Sequence, residues 1–152
     1  MDRRQPLPRL WMMTDERQGK RLLPAAEALP QGSGIVFRHY SLPGPERREL
    51  FGAVKRIAEE RHLSLLLAGP SNLAEEWEAD GSHGWEGALR PPQLRSVSVH
   101  NREEMERANA LGADLAFVSR VFETRSHPGK PALGVEGLRE IAAIARMPVI
   151  AL

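Results

Sequence analysis

The chain has 152 residues, 41% of them apolar and 27% charged, and its 21 Lys and Arg against 20 Asp and Glu leave a formal charge of +1. That is one domain's worth of ordinary globular sequence, without a global field that would recruit nucleic acid or an anionic membrane. With no cysteine present, disulfides, thiolate metal sites and cysteine nucleophiles are excluded.

The N-terminal stretch holds only a short apolar run, cut by Pro6 and Pro8 and closed by Asp15, which does not make a signal peptide. No run approaches the roughly 20 apolar residues of a membrane helix, so a cytoplasmic protein with no membrane partner is expected. The run LWMMT at 10–14 predicts a first strand, and KRLLPAAEAL predicts a helix that Pro30 and Gly32 end. Ile35, Val36 and Phe37 form a second apolar run closed by Arg38, His39 and Tyr40, after which the turn at 43–45 opens a helix. In that helix Leu50, Val54, Ile57 and Ala58 share one face at helical spacing. A third strand follows at 63–67, with Asn72 as the expected N-cap of a short helix. DGSHGW at 80–85 is a weak strand by propensity, held by the alternation of elements.

SVSVH at 96–100 alternates at period two, and Asn101 with Glu104 three residues on is a cap-and-acid start to the helix REEMERANAL, closed by Gly112. LAFVSRV at 115–121 predicts a buried strand, followed by a long polar loop. Leu138, Ile141, Ala142 and Ala145 mark a last helix, and PVIAL at 148–152 a last strand. About seven short apolar strands separated by helices are the signature of a parallel sheet covered on both faces, an α/β class. Either an open doubly wound sheet or a (β/α)₈ barrel fits, and a barrel usually takes roughly 200 residues or more. TDERQG after the first strand is no G-x-G-x-x-G turn, which weakens a dinucleotide-binding reading.

The sequence from Arg95 to Leu152 carries an S-x-H strand end, a G-A-D turn, a V-F-x-T loop and a P-V-x-A strand. It resembles the thiamine phosphate synthase/TenI superfamily. Upstream, LWMMTD, VFRHY and ADGSHGW match the family's corresponding segments in order. The resemblance implies a single barrel domain over 1–152, TIM (β/α)₈-like and apparently truncated after the seventh strand.

It implies a thiamine-biosynthesis protein that joins hydroxymethylpyrimidine diphosphate to a thiazole phosphate with Mg²⁺ on the leaving diphosphate, or a degenerate relative of that enzyme. A non-catalytic barrel that binds a phosphorylated heterocycle or a partner protein, and a TenI-type thiazole tautomerase, are the alternatives. Arg38, Ser98, Thr124 and Ser126 fall on the family's ligand-binding positions. Several positions depart: Val36 and Tyr40 replace a Gln and a Lys, Ala68 and Gly69 an Asn-Asp, Ala88 a metal-binding Asp and His127 a loop Lys. Asp80 and Glu86 are the nearest acids left for a cation. Arg120 stands where the tautomerase branch has its proton-transfer His, and an always-charged Arg is a poor base.

Other contacts to a ligand are expected from His39, His83, His100, Arg120 and His127, each weighed against a purely structural role. Arg38 has an equally simple alternative, a salt bridge to a loop acid. The run RSHPGK could cradle phosphate or be a solvated loop. A homo-oligomer is expected from apolar first and last strands, whose edges template pairing with another chain.

Overall fold

The computed structural model describes residues 6–125 and 128–152, which form two compact units, one ending at Leu94 and one spanning Arg95–Leu152. Both are built from parallel strands alternating with helices, so the α/β class read from the apolar runs holds.

In the first unit β1 (Trp11–Met13), β2 (Gly34–Phe37), β3 (Ser64–Ala68) and β4 (Gly81–His83) pair in sequence order. The register sets Met13 beside Val36, Phe37 beside Leu67 and Ala68 beside His83. The strands are buried on both faces. Ile35, Phe37, Leu65 and Leu67 pack against the helices, while Val36 and Leu66 are just as inaccessible on the other side. A six-residue 3₁₀ segment, Glu16–Arg21, follows β1 and is capped by Asp15, whose carboxylate accepts the Arg17 N–H while the Gln18 side chain returns to the Asp15 N–H. It leads into α1 (Leu22–Ala28).

The long helix α2 (Gly44–Glu60) starts at the predicted turn, with Pro45 in its first turn where a missing N–H costs nothing. Its buried stripe is Phe51, Val54, Ile57 and Ala58, and the expected Leu50 is partly buried against the same core. Phe51 meets Phe37 edge-on at 5.4 Å and Trp77 at 5.3 Å, and an aromatic ring buries more surface than the leucine beside it. Helix α3 (Ser71–Glu76) is capped by Pro70. Asn72 therefore lies inside the helix, because the chain turns helical two residues earlier than an N-cap at that position would have it. Gly34 is required by close approach: a Cβ there would run into the six-membered ring of Trp11 on the adjacent strand.

In the second unit β5 (Leu94–Val99), β6 (Leu115–Val118) and β7 (Val149–Ala151) pair in order, with Ser98 beside Phe117 and Phe117 beside Ile150. Helix α4 (Arg102–Leu111) has the predicted bounds. Asn101 accepts the Glu104 N–H at 2.9 Å, and Gly112 closes the helix at φ 75, a left-handed conformation that glycine adopts without a Cβ clash. Helix α5 (Gly134–Ala143) precedes the last strand. Asn109 ties α4 to the turn between them, donating to the Ile144 carbonyl at 2.7 Å and accepting the Arg146 N–H at 2.8 Å. Strand β6 stops at Val118, short of the predicted 121, and the chain beyond it turns into the loop that carries Arg120. Among the described residues, no helix is long and apolar enough to cross a membrane.

Candidate functional site

The polar residues that interrupt the apolar runs collect at the C-terminal ends of the strands, where parallel α/β folds place their ligands. In the first unit Thr14 organises these ends. It is fully buried, and its hydroxyl accepts the Arg38 N–H at 2.8 Å while lying 2.9 Å from His39 Nδ1. With one lone pair taken by Arg38, the hydroxyl proton is available to Nδ1. The hydroxyl can donate to Nδ1 or accept from it with its second lone pair, according to the imidazole tautomer. Burial holds the His39 pKa below its ordinary value, and its ring stacks on Phe37 at 5.0 Å. His39 is thus built into the unit's packing.

Arg38 donates from Nε to the Thr14 carbonyl at 2.7 Å, and its Nη2 lies 3.5 Å from Asp15 Oδ2. Asp15 is held at a pKa of about 2, chiefly by the Arg17 side chain and main chain hydrogen-bonded to it. The guanidinium of Arg38 keeps about a third of its side chain in solvent, which leaves donors at the strand ends for an anion. His83 ends β4 and is buried 6% exposed; burial first, then the Arg38 charge, brings its pKa down to about 4. It is neutral at physiological pH.

Sequence reading missed Arg47. From the first turn of α2 it donates through Nε and Nη2 to the Arg38 carbonyl at 3.0 and 2.7 Å, and through Nη2 to the Ala68 carbonyl at 2.7 Å. Its guanidinium also lies within 6 Å of the Phe37, Tyr40 and Trp77 rings. It thereby fixes the ends of β2 and β3 together. Nothing in the charged face of that helix distinguished it from its solvated neighbours.

A divalent cation of the kind the resemblance implies does not fit these ends. Ala68, Gly69 and Ala88 offer no side-chain oxygen where carboxylates or amides are needed. The Ala88 carbonyl already accepts the Ser71 hydroxyl at 2.7 Å. Asp80 sits before β4, at the opposite end of the strands, with Oδ2 accepting the Leu65 N–H at 2.7 Å; it lines a separate cleft with Lys55, Glu59, His62 and Glu78. Glu86 is an exposed loop residue. Among the described residues no group of three or more His, Asp or Glu could hold a metal ion.

In the second unit the strand ends open into a cleft of about 380 Å³ lined by His100, Ser119, Arg120, Lys130, Pro131 and Leu133. His100 follows β5, Ser119 and Arg120 follow β6, and the returning loop supplies Lys130. Arg120 Nε is buried without a hydrogen-bond partner. Because a guanidinium stays charged, an N–H left in that state costs about 1–3 kcal/mol until an acceptor arrives. His100 Nδ1 lies 2.9 Å from Glu104 Oε2, and the same oxygen accepts the His100 main-chain N–H at 2.6 Å. Ser98 is partly buried near the end of β5; Thr124 is exposed in the loop after β6 and is not among the described residues lining the cleft. Ser126 and His127 lie outside the described residues. Of the sequence candidates, the structure brings Arg38, His39 and His83 together in the first unit, and His100 with Arg120 in the second. Lys130 was visible beforehand only as part of a basic run, and Glu104 only as a helix-capping acid.

Parallel strands whose C-terminal ends gather cations and neutral histidines define an α/β protein of the TIM-barrel kind. The sequence model of the family described as thiamine monophosphate synthase matches residues 10–152. The chain belongs to that family. It is 31% identical over 157 residues to the putative thiamine-phosphate synthase 2 of Aquifex aeolicus, covering 96% of this chain and 84% of that one. It is 30% identical to the thiamine-phosphate synthase of Moorella thermoacetica over 78% of this chain and 61% of that one. The solved thiamine phosphate pyrophosphorylase of Pyrococcus furiosus superposes with a TM-score of 0.79 at 26% identity, covering 96% of this chain and 74% of that one. The barrel-like fold expected from the S-x-H, V-F-x-T and P-V-x-A segments is therefore the fold found.

Proposed function

We propose that this chain serves thiamine biosynthesis by binding a monophosphorylated heterocycle, a thiazole phosphate, with Arg120 and Lys130 receiving the phosphate. The observation that carries this reading is the buried Arg120 Nε without a partner in a cleft that also holds Lys130. A phosphate oxygen supplies the missing acceptor, and a guanidinium matches phosphate geometry through two parallel N–H donors. Metal-assisted coupling to a pyrimidine diphosphate is the second reading. The partly exposed guanidinium of Arg38 favours it, and Ala68, Gly69 and Ala88 count against it. Residues 1–152 read as one functional domain, and a cytoplasmic setting suits work on small phosphorylated precursors.

Calorimetric titration with thiazole phosphate and thiamine phosphate tests the proposal, with Arg120→Ala in parallel. Binding should weaken about 10- to 100-fold in the variant, the worth of a hydrogen bond to a charged group. Absence of binding to the unaltered chain rejects the proposal. Formation of thiamine phosphate from both precursors with Mg²⁺, above a no-protein control, would establish the coupling reading instead.

A further inference from the structure

The cleft of the second unit is not polar throughout. Beside Arg120 and Lys130 it is walled by Pro131 and Leu133, and its volume of about 380 Å³ falls within the roughly 300–1,000 Å³ that small organic ligands occupy. A phosphate group meets the cations, and a carbon skeleton attached to it meets the wall. The main chain sets the two side by side. The Leu133 N–H donates to the Arg120 carbonyl at 2.8 Å and the Gly134 N–H to the Val121 carbonyl at 2.8 Å. The end of the returning loop is thereby tied to the segment after β6 that carries the guanidinium.

Helix capping does not account for a leucine at this position. Leu133 is the N-cap of α5 and makes no side-chain cap hydrogen bond, where Ser, Asp or Asn would accept a free N–H of the first turn. Its half-buried side chain leans on the helix at Gly137: a Cβ added to that glycine would stand 3.1 Å from Leu133 Cβ and 3.6 Å from its Cδ2. A bare helix position thus leaves the leucine room between α5 and the cleft.

We infer that Leu133 determines the ligand class of this cleft, selecting an organic phosphate monoester with apolar carbon next to the ester oxygen over inorganic phosphate. This rests on the phosphate-binding reading above. Arg120 and Lys130 recognise only the anionic head, which every phosphate ester shares. The carbon arm of an ester displaces water from Leu133 and Pro131, and affinity grows with the apolar area removed from water. Each methylene fully buried is worth about fourfold.

Calorimetric titration of the whole chain with inorganic, methyl, ethyl and propyl phosphate, at one pH and ionic strength, tests this. Affinity should climb by about two- to fourfold per carbon along the series. Leu133→Ser supplies a cap for α5 while removing the wall, so it should melt no lower than the unaltered chain and yet bind the four compounds with nearly equal affinity. Leu133→Met keeps an apolar wall and should keep the climb. Equal affinities along the series in the unaltered chain, or an undiminished climb in Leu133→Ser, overturn this inference and leave the phosphate-binding reading standing. No binding of inorganic phosphate or of any ester to the unaltered chain removes both.

Discussion

Thr14 ties two neighbouring residues of the first unit to β1, because one hydroxyl serves both the Arg38 N–H and His39 Nδ1. Thr14→Val keeps the shape and strands both partners in a fully buried setting. Urea unfolding should show a loss of about 1–3 kcal/mol, the cost of a buried polar group left unpaired. His83 gives a pH signature. Its ordinary pKa of 6.5 falls to about 4 in the fold through burial and the Arg38 charge. Between those values the unfolded chain binds the extra proton, so stability is full above about pH 6.5 and falls as pH drops toward 4. His83→Asn should flatten that slope in denaturation series taken at pH 7 and pH 5; an unchanged slope would mean that His83 is solvated. Asp15, held at about 2, has the same sign but acts lower, losing its contribution as pH falls from about 4 toward 2.

At the scale of elements, one side chain caps the N-terminus of α4, and one bridges the C-terminal ends of the paired strands β2 and β3. Asn101→Ala removes the acceptor for the Glu104 N–H and should cost about 1 kcal/mol, read by thermal or chemical unfolding, with Asn101→Asp recovering most of it. Arg47→Lys tests the second. A planar guanidinium reaches the Arg38 and Ala68 carbonyls at once, and a single ammonium cannot reproduce that fork. The variant should be less stable and should bind anions more weakly at Arg38, seen as a smaller melting shift with added phosphate. Wild-type behaviour in both would make Arg47 a plain surface cation.

For the whole chain, the residues at the strand ends make metal dependence the sharpest prediction. With Ala68, Gly69 and Ala88 at the positions where oxygen ligands are needed, Mg²⁺ alone should change neither the melting temperature nor the affinity for thiazole phosphate. An upward shift with Mg²⁺ would mean that acids outside those positions have taken the role. Self-association is the other property of this scale. β1 and β7 are each outermost in the strand order of their units, next to Leu10 at 52% and Leu152 at 42% exposure. Apolar edges of that kind template pairing, and light scattering at tens of micromolar should report a mass above that of the monomer. A monomer at every concentration would show the edges to be closed.

Periodicity in the sequence determined the strand and helix order, because apolar runs and capping residues act locally: Asn101 and Gly112 bound α4 wherever that helix sits. The S-x-H, V-F-x-T and P-V-x-A segments likewise sufficed for the family, being short patterns that survive without any knowledge of contacts. Contacts between residues distant in sequence were decided only by the tertiary structure. Phe51 joined the buried stripe of α2 because Phe37 and Trp77 meet it. The packing of His39 was of this kind: its ring stacks on Phe37 and its Nδ1 meets Thr14, twenty-five residues earlier. Asp80, a cation candidate by proximity in sequence, lies at the opposite end of the strands, since it precedes β4 while His83 ends it. The cleft itself, with Arg120, Lys130 and a His100 held by Glu104, exists only where the returning loop meets the strand ends, and pairing across such distances leaves no period in a sequence.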